Sequence, residues 1–240
     1  MRNKNLIVGI VIIFISIAVV YYFLQSEKPA SQRSSPQFNP SDFSATITNK
    51  YFALPVGRKF VYEAEKDDGI ERVEIEIPGE TKEIMGIKTL VYVDKVYQDG
   101  ELVEYTRDYL AQDKEDNVWY FGEDVDNYED GKLKNHAGAW IAGIDGAEPG
   151  IWLKANAKPG DSYRQEYYPD RAEDMADVVS VAETVVTKKA TYQECVQTLD
   201  YSPLEPGAKE HKYYCPEVAG LVLEVDLTSG ERLELIEIVN

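Results

Sequence analysis

The sequence has few of the residues on which most enzyme active sites depend. Its 240 residues include two histidines and two cysteines. A zinc site with three histidine ligands is therefore impossible, and a Ser–His or Cys–His nucleophile would have to use His136 or His211. The chain also lacks a Gly-x-Ser-x-Gly elbow, a His-Glu-x-x-His pair, a phosphate-binding glycine loop and a dinucleotide-binding motif. These absences set several enzyme chemistries aside and lean toward a non-enzymatic protein, with a carboxylate-based hydrolase kept as an alternative.

Positive charge is also scarce. The chain has 25 Lys and Arg against 43 Asp and Glu, a net charge of −18 at pH 7. The first 46 residues hold four basic and two acidic side chains, so the rest of the chain carries about −20. A domain with this charge repels nucleic acid and anionic lipid head groups, which argues against both partners. Its charge suits a divalent cation, a basic protein or a polyamine, or serves solubility alone.

The two cysteines are Cys195 and Cys215. They lack the Cys-x-x-Cys spacing of a metal or redox pair. Pro203, Pro206 and Gly207 predict a turn midway between them, so two antiparallel strands would place the cysteines almost opposite each other. We therefore predict a Cys195–Cys215 disulfide, as expected for a protein outside the cytoplasm.

Long apolar runs are absent except for one at the N-terminus. Residues 6–24 contain no charged side chain, and as a helix they would be about 28 Å long, close to the hydrocarbon thickness of a bilayer. The run is longer than the apolar core of a typical signal peptide. It ends in Tyr21, Tyr22 and Phe23, which suit a membrane interface. We predict an uncleaved anchor, with signal cleavage and secretion as the alternative.

The flanks of this run predict the topology and the domain organisation. Arg2 and Lys4 precede it, which predicts a cytoplasmic N-terminus and an extracytoplasmic remainder. Residues 25–45 are rich in Ser and Pro and lack apolar periodicity, as a flexible tether does. We thus predict a single-pass protein of the cytoplasmic membrane with an anchor over residues 1–24, a linker over 25–45 and one acidic domain over 46–240.

The remaining chain shows strand patterns and no sustained helical periodicity. Apolar and polar residues alternate in "KFVYEAE" and "ERVEIEI", and again in the two runs around Asp99-Gly100; Asp68-Gly69 and Asp99-Gly100 are strong hairpin signals. About twelve such runs joined by short turns predict an all-β, antiparallel meander. Because so many strands would otherwise expose edges, we expect a strongly curved sheet or barrel, with a two-sheet sandwich as the alternative.

Five stretches carry a resemblance to a known group of proteins: "YFALPVGRKFVYEAE", "NVWYFGEDV", "GAEPGIWL", "SYRQEYYPDRAEDMADV" and "EHKYYCPEVAGLVLEVD". Over residues 49–238 the chain resembles a family of uncharacterised secreted or membrane-anchored prokaryotic β domains that are lipoprotein-like. The last stretch departs from the sequence pattern of this family in two places: Ala219 is inserted before Gly220, and Cys215 stands where a small residue is expected. The resemblance implies an all-β fold and an extracytoplasmic location, and it brings no established activity.

Two acidic segments are candidate cation sites. The first, residues 166–179, contains Asp170, Glu173, Asp174 and Asp177, whose hard oxygen ligands suit Ca²⁺. The order of these residues does not match a calcium loop, and Arg171 offers internal neutralisation. A solvated connection between strands is therefore the alternative interpretation.

The second acidic segment is a predicted loop over residues 122–131. Asp124, Asp126 and Asp130 alternate before Gly131, which approaches a calcium loop. Tyr128 stands where an oxygen ligand would help, and no glutamate closes the loop. The alternative is an ordinary hairpin turn at Asp130-Gly131. No other cofactor is expected.

Aromatic residues are the remaining candidate for a binding function. Seventeen tyrosines and three tryptophans would suit a pocket for a small apolar or glycan ligand, although aromatic residues at strand spacing are more often core or cross-strand pairs. We therefore expect a membrane-anchored, non-enzymatic binding or envelope-associated module of unknown protein partner. The alternatives are a calcium-stabilised surface domain and a hydrolase that uses two carboxylates.

Overall fold

In the computed structural model of the protein, residues 38–66 and 69–240 are described. No helix in these two ranges is long and apolar enough to cross a bilayer. The anchor that we predict over residues 6–24 lies outside the described residues. Most of the predicted linker and Asp68 of the first hairpin signal also lie outside them.

The described residues form a fold of strands with a single short 3₁₀ helix, Pro40–Asp42. The first strands are β1 (Phe43–Ser44), β2 (Thr48–Asn49), β3 (Phe52–Ala53), β4 (Lys59–Lys66), β5 (Gly69–Glu76), β6 (Thr81–Ile84), β7 (Ile87–Gln98), β8 (Glu101–Asp113), β9 (Val118–Glu129) and β10 (Lys132–Asn135). The others are β11 (Trp140–Ile141), β12 (Glu148–Leu153), β13 (Ser162–Arg164), β14 (Glu166–Tyr167), β15 (Met175–Val186), β16 (Thr191–Ser202), β17 (Glu205–Cys215), β18 (Gly220–Asp226) and β19 (Arg232–Val239).

All described strands except β2 and β3 form one antiparallel sheet that nearly closes on itself. Strands β15, β16, β17, β18, β19, β4, β5, β7, β8 and β9 pair in that spatial order. At one end β9 pairs with β12, which also pairs with β14. At the other end β15 pairs with β13, which directly precedes β14. The chain over residues 162–167 therefore connects the two ends, and the predicted curved, barrel-like meander is confirmed.

The hairpin turns follow the predicted chemistry. A two-residue turn of type I′ needs positive φ at both central residues, which Asp-Gly tolerates. Asp99 and Gly100 have φ of 50° and 84° between β7 and β8, and Asp130 and Gly131 have φ of 52° and 70° between β9 and β10. These turns fix the register of the two hairpins.

The folded domain begins earlier than its predicted start at residue 46. Phe38 lies 5.2 Å from Trp119 and Phe43 lies 5.6 Å from Phe121, measured between ring centroids. Residues of β1 also pair with the end of β8. Composition alone placed these residues in the linker, but each phenylalanine has an aromatic partner on the domain and therefore packs there.

The short hairpin of β2 and β3 contributes to the interior of the sheet. Phe52 of β3 is buried and its ring lies about 6 Å from those of Tyr92, Trp152 and Tyr214. Gln112 Oε1 accepts hydrogen bonds from the backbone N–H groups of Thr48 and Asn49, which ties this hairpin to β8. The interior thus has an aromatic lining drawn from distant parts of the chain.

The predicted disulfide is confirmed. Cys195 on β16 and Cys215 at the end of β17 are fully buried and bonded to each other, with their Cα atoms 4.2 Å apart. The strands that carry them are antiparallel neighbours, since Val196 lies opposite Tyr214. The bond therefore joins the two strands that the intervening turn already brings together.

Removal of this disulfide is expected to lower the free energy of unfolding by about 3 kcal/mol. The bridge closes a loop with a sequence separation of 20 residues, and a loop of this size loses about that much chain entropy in the unfolded state. The measurement is denaturant unfolding of the C195A/C215A double variant against the parent protein. An unchanged unfolding free energy would show that the bond adds nothing beyond the strand pairing.

Candidate ligand site inside the barrel

The second predicted acidic segment does not form a loop. Residues 122–129 belong to β9, which continues to Glu129, so the predicted loop over 122–131 is wrong except for the turn at Asp130-Gly131. Alternation of Asp with Val and Tyr is compatible with a strand. Pairing with β8 as far as Asn127, and with β10 beyond it, holds the segment extended.

The carboxylates of this segment have basic partners. Asp124 accepts hydrogen bonds from Lys82 Nζ at 2.9 Å and from the Tyr109 hydroxyl. Burial raises the pKa of Asp124, but these two hydrogen bonds outweigh it and lower the pKa. Asp126 Oδ2 lies 3.2 Å from Arg107 Nη2, and its Oδ1 lies 2.9 Å from His136 Nδ1. Both carboxylates are therefore engaged on the surface of β9.

The first acidic segment is divided between the surface and the interior. Asp170 lies in an exposed turn, and its backbone N–H donates to Glu173 Oε1 at 3.0 Å. Asp177 lies in β15, opposite Ser162 and Leu199. Asp174, in contrast, lines an interior cavity.

A calcium site stays a prediction. In the described ranges, 38–66 and 69–240, no group of three or more His, Cys, Asp or Glu side chains is arranged to hold a metal ion.

The unexpected feature is a set of acidic side chains inside the barrel. Nine carboxyl groups of the described residues are at least nine-tenths buried, and one of them, Glu234, is held by Arg232 and by the backbone N–H of Lys188. The other eight come from strands all around the sheet: Glu71, Asp94, Glu104, Asp108, Glu123, Glu166, Asp200 and Glu210. The charges of neighbouring carboxyls in this set raise the pKa of Asp94, Glu123 and Glu166. Such groups are rare in protein interiors unless they are paired.

Strand alternation explains why these side chains point inward. Side chains at positions i and i+2 of a strand lie on the same face. On β7, Tyr92, Asp94 and Val96 are buried on one face, so Asp94 shares the side of its apolar neighbours. The same holds for Asp200 on β16, which lies between buried Thr198 and Ser202. The interior carboxyls therefore occupy core positions of their strands.

Lys212 on β17 is the central cation of this interior. Its Nζ lies 3.4 Å from Glu210 Oε2 and 3.6 Å from both Asp200 Oδ2 and Glu224 Oε2. Burial lowers the pKa of Lys212, but the negative charges of Glu224, Glu210 and Asp200 outweigh burial and raise that pKa well above its usual value. A protonated Lys212 thus bridges three strands.

Two cavities meet at Lys212. The larger, about 70 Å³, has walls that include Phe52, Tyr62, Tyr92, Asp94 and Glu224. The smaller, about 50 Å³, has walls that include Tyr120, Gln165, Glu166 and Asp174. Trp152, Lys212 and Tyr214 line both cavities. Aromatic rings with a few polar groups directed inward are typical of small-molecule sites.

Burial and mutual repulsion set the protonation of these carboxyls. Burial is the largest cause of a raised pKa in eight of them, because an ionised carboxyl loses its hydration inside the barrel; these are Glu71, Asp94, Glu104, Asp108, Glu123, Glu166, Asp174 and Glu210. The pKa rises to about 7 in three carboxyls and to about 8 in a fourth, namely Glu104, Asp108, Asp174 and Glu210. It lies well above the usual range for Asp94, Glu123 and Glu166. Several interior carboxyls are therefore protonated near neutral pH.

Comparison with known proteins leaves the chain without an assigned family. No family model matches it, and no curated protein matches it. Among solved structures it is similar to a provisionally assigned lipoprotein from Parabacteroides distasonis ATCC 8503, with 12% identity and a TM-score of 0.44 over 82% of this chain and 100% of that one. Neither the fold nor the function of this chain follows from a likeness at that level.

Proposed function

We propose that this protein is an extracytoplasmic binding module, anchored by residues 6–24, that holds a small ligand inside its barrel-like sheet. The observation that carries the proposal is the pair of cavities that meet at Trp152, Lys212 and Tyr214. Their walls combine aromatic rings with inward polar groups, as ligand pockets do. The anchor rests on the uncharged run of the N-terminus and on its basic flank.

The dimensions of the cavities favour a ligand of a few heavy atoms. A buried cavity of about 150 Å³ accommodates benzene, whereas these cavities measure about 70 and 50 Å³. A sugar ring is too large for either cavity, which argues against a glycan inside the barrel. It also argues against glycoside hydrolysis at Glu166 and Asp174, because the scissile bond must lie between the two carboxyls.

Trp152 provides a direct test of interior binding. The experiment is a fluorescence titration of the full-length chain in non-ionic detergent with small cationic, neutral and anionic compounds. We expect saturable changes in emission that persist in W119F and are lost in W152F, because Trp152 lines both cavities and Trp119 packs outside them against Phe38 and Phe43. An identical response of the two variants would place binding elsewhere, and a lack of any saturable response would contradict the proposed function.

A further inference from the structure

The walls of the two cavities hold more acidic than basic side chains. Four carboxyl groups line them, those of Asp94, Glu166, Asp174 and Glu224, against the single ammonium of Lys212. The ammonium is already shared among Asp200, Glu210 and Glu224. The interior therefore has capacity for at least one further positive charge.

Asp94 is the carboxyl with the clearest need of a partner. Its side chain lines the larger cavity and is 8% exposed. Its Oδ1 is buried and accepts no hydrogen bond from the described residues. After burial, the strongest influences on its pKa are the carboxylates of Asp108, Glu104, Glu224 and Glu71, all of which raise it. A buried acceptor without a donor is costly, by an amount similar to a lost hydrogen bond.

We propose that the larger cavity binds the protonated amino group of a small, soluble organic amine, with Asp94 as its principal acceptor and Glu224 as a second one. This inference rests on the proposed function, because it names the chemical class of ligand for the same interior site. The ammonium would donate to the free Oδ1 of Asp94 and would compensate the excess of interior carboxyls.

The walls favour an organic cation over a metal ion. In the residues that the structure describes, no arrangement of three or more His, Cys, Asp or Glu ligands suits a metal. The rings of Phe52, Tyr62 and Tyr92 border the cavity, and aromatic faces attract alkylammonium groups. Lys212 shows that this interior already accommodates an alkyl chain that ends in an ammonium.

The test compares three probes of similar size and different charge: n-propylammonium, n-propanol and propionate. Each is titrated into the full-length chain in non-ionic detergent at pH 7, at equal ionic strength set with NaCl, and the melting temperature and tryptophan emission are recorded. At tenfold the dissociation constant we expect n-propylammonium to raise the melting temperature by about 3–6 °C. Neither n-propanol nor propionate should do so.

Two asparagine variants localise the binding. We expect Asp94→Asn to weaken n-propylammonium at least about tenfold, since one charge-assisted hydrogen bond is lost, and to raise the melting temperature of the ligand-free protein. Asp145→Asn is the matched control, because Asp145 lies in an exposed turn with a φ of 50° that asparagine also tolerates. It makes the same Asp→Asn replacement outside the cavities and should leave the affinity unchanged.

The possible results separate this inference from the proposed function. Equal binding of n-propanol and n-propylammonium would overturn the amine inference and leave an interior binding site. Equal affinity of the parent protein and Asp94→Asn would also overturn it, because the amine would then bind elsewhere. If none of the three probes changes the emission or the melting temperature, the amine inference is overturned. The proposed function is contradicted only if the fluorescence titration with cationic, neutral and anionic compounds also finds no ligand.

Discussion

Raising the pH from 5 to 7 is expected to lower the melting temperature of the domain by about 10–20 °C. The cause is the raised pKa of the interior carboxyls, about 7 for Glu104, Asp108 and Asp174 and about 8 for Glu210. In the unfolded chain such groups titrate near pH 4. Between these pH values the folded domain therefore holds more protons than the unfolded chain.

The sign of the effect follows from this difference. A carboxyl whose pKa is higher in the folded state than in the unfolded chain stabilises the folded state fully when the pH is below its pKa in the unfolded chain. This stabilisation is lost as the pH rises through its pKa in the folded state. If the folded domain holds two extra protons, each pH unit costs about 2.7 kcal/mol of unfolding free energy. Folding lowers the pKa of other carboxyls, such as Glu76 and Asp124. Their contribution to stability is lost only when the pH falls below their pKa in the unfolded chain, which lies outside the range from pH 5 to 7.

Scanning calorimetry of the full-length chain between pH 4.5 and 8.5 measures this profile. Glu104→Gln should reduce the slope, since it removes one titrating group, whereas Asp145→Asn should leave the slope unchanged. A melting temperature that stays constant or rises between pH 5 and 7 would show that the interior carboxyls are not protonated in the folded state.

Substitution of Lys212 by methionine is expected to lower the free energy of unfolding at pH 8 by about 3–5 kcal/mol, the usual cost of leaving buried charges without their partner. Methionine retains much of the side-chain volume and removes only the ammonium. Asp200, Glu210 and Glu224 then lose the cation that lies 3.4–3.6 Å from each of them. At pH 5 the loss should be smaller, because protonation of Glu210 removes part of the repulsion.

Denaturant unfolding of K212M at both pH values measures these losses. Lys59→Met is the control, because the Lys59–Glu76 pair is exposed on the surface and exposed pairs contribute little. Equal losses at pH 5 and pH 8 would mean that Lys212 acts through packing alone. No loss at either pH would contradict its role as the central cation.

The fold was largely predictable because its signals are local. Alternation of apolar and polar residues defines strands, and Asp99-Gly100 defines a tight hairpin turn whatever the rest of the chain does. The disulfide was predictable for the same reason, since the turn between Cys195 and Cys215 sets their strands side by side. The closure of the sheet through residues 162–167 was not, because it depends on pairing with the distant strands β12 and β15.

The interior site was missed because acidic residues were expected at the surface. Asp174 was grouped with Asp170, Glu173 and Asp177 by proximity in the chain, although only Asp174 lines a cavity. A usable signal was present at Asp94, which lies two residues from both Tyr92 and Val96 on the same strand. Its side chain therefore faces the core together with theirs. What sequence could not provide is the convergence of these carboxyls, since they come from strands that meet only after the sheet curves.

The most direct test of the account is calorimetric titration of n-propylammonium into the full-length chain at pH 7, in two buffers with different ionisation enthalpies. A cation that binds among carboxyls of raised pKa favours their ionised form, so binding should release protons to the buffer. We predict saturable heat in both buffers, with a difference between them that corresponds to proton release and that shrinks in Asp94→Asn. No saturable heat, or heat that is the same in both buffers, would contradict an amine site among protonated interior carboxyls.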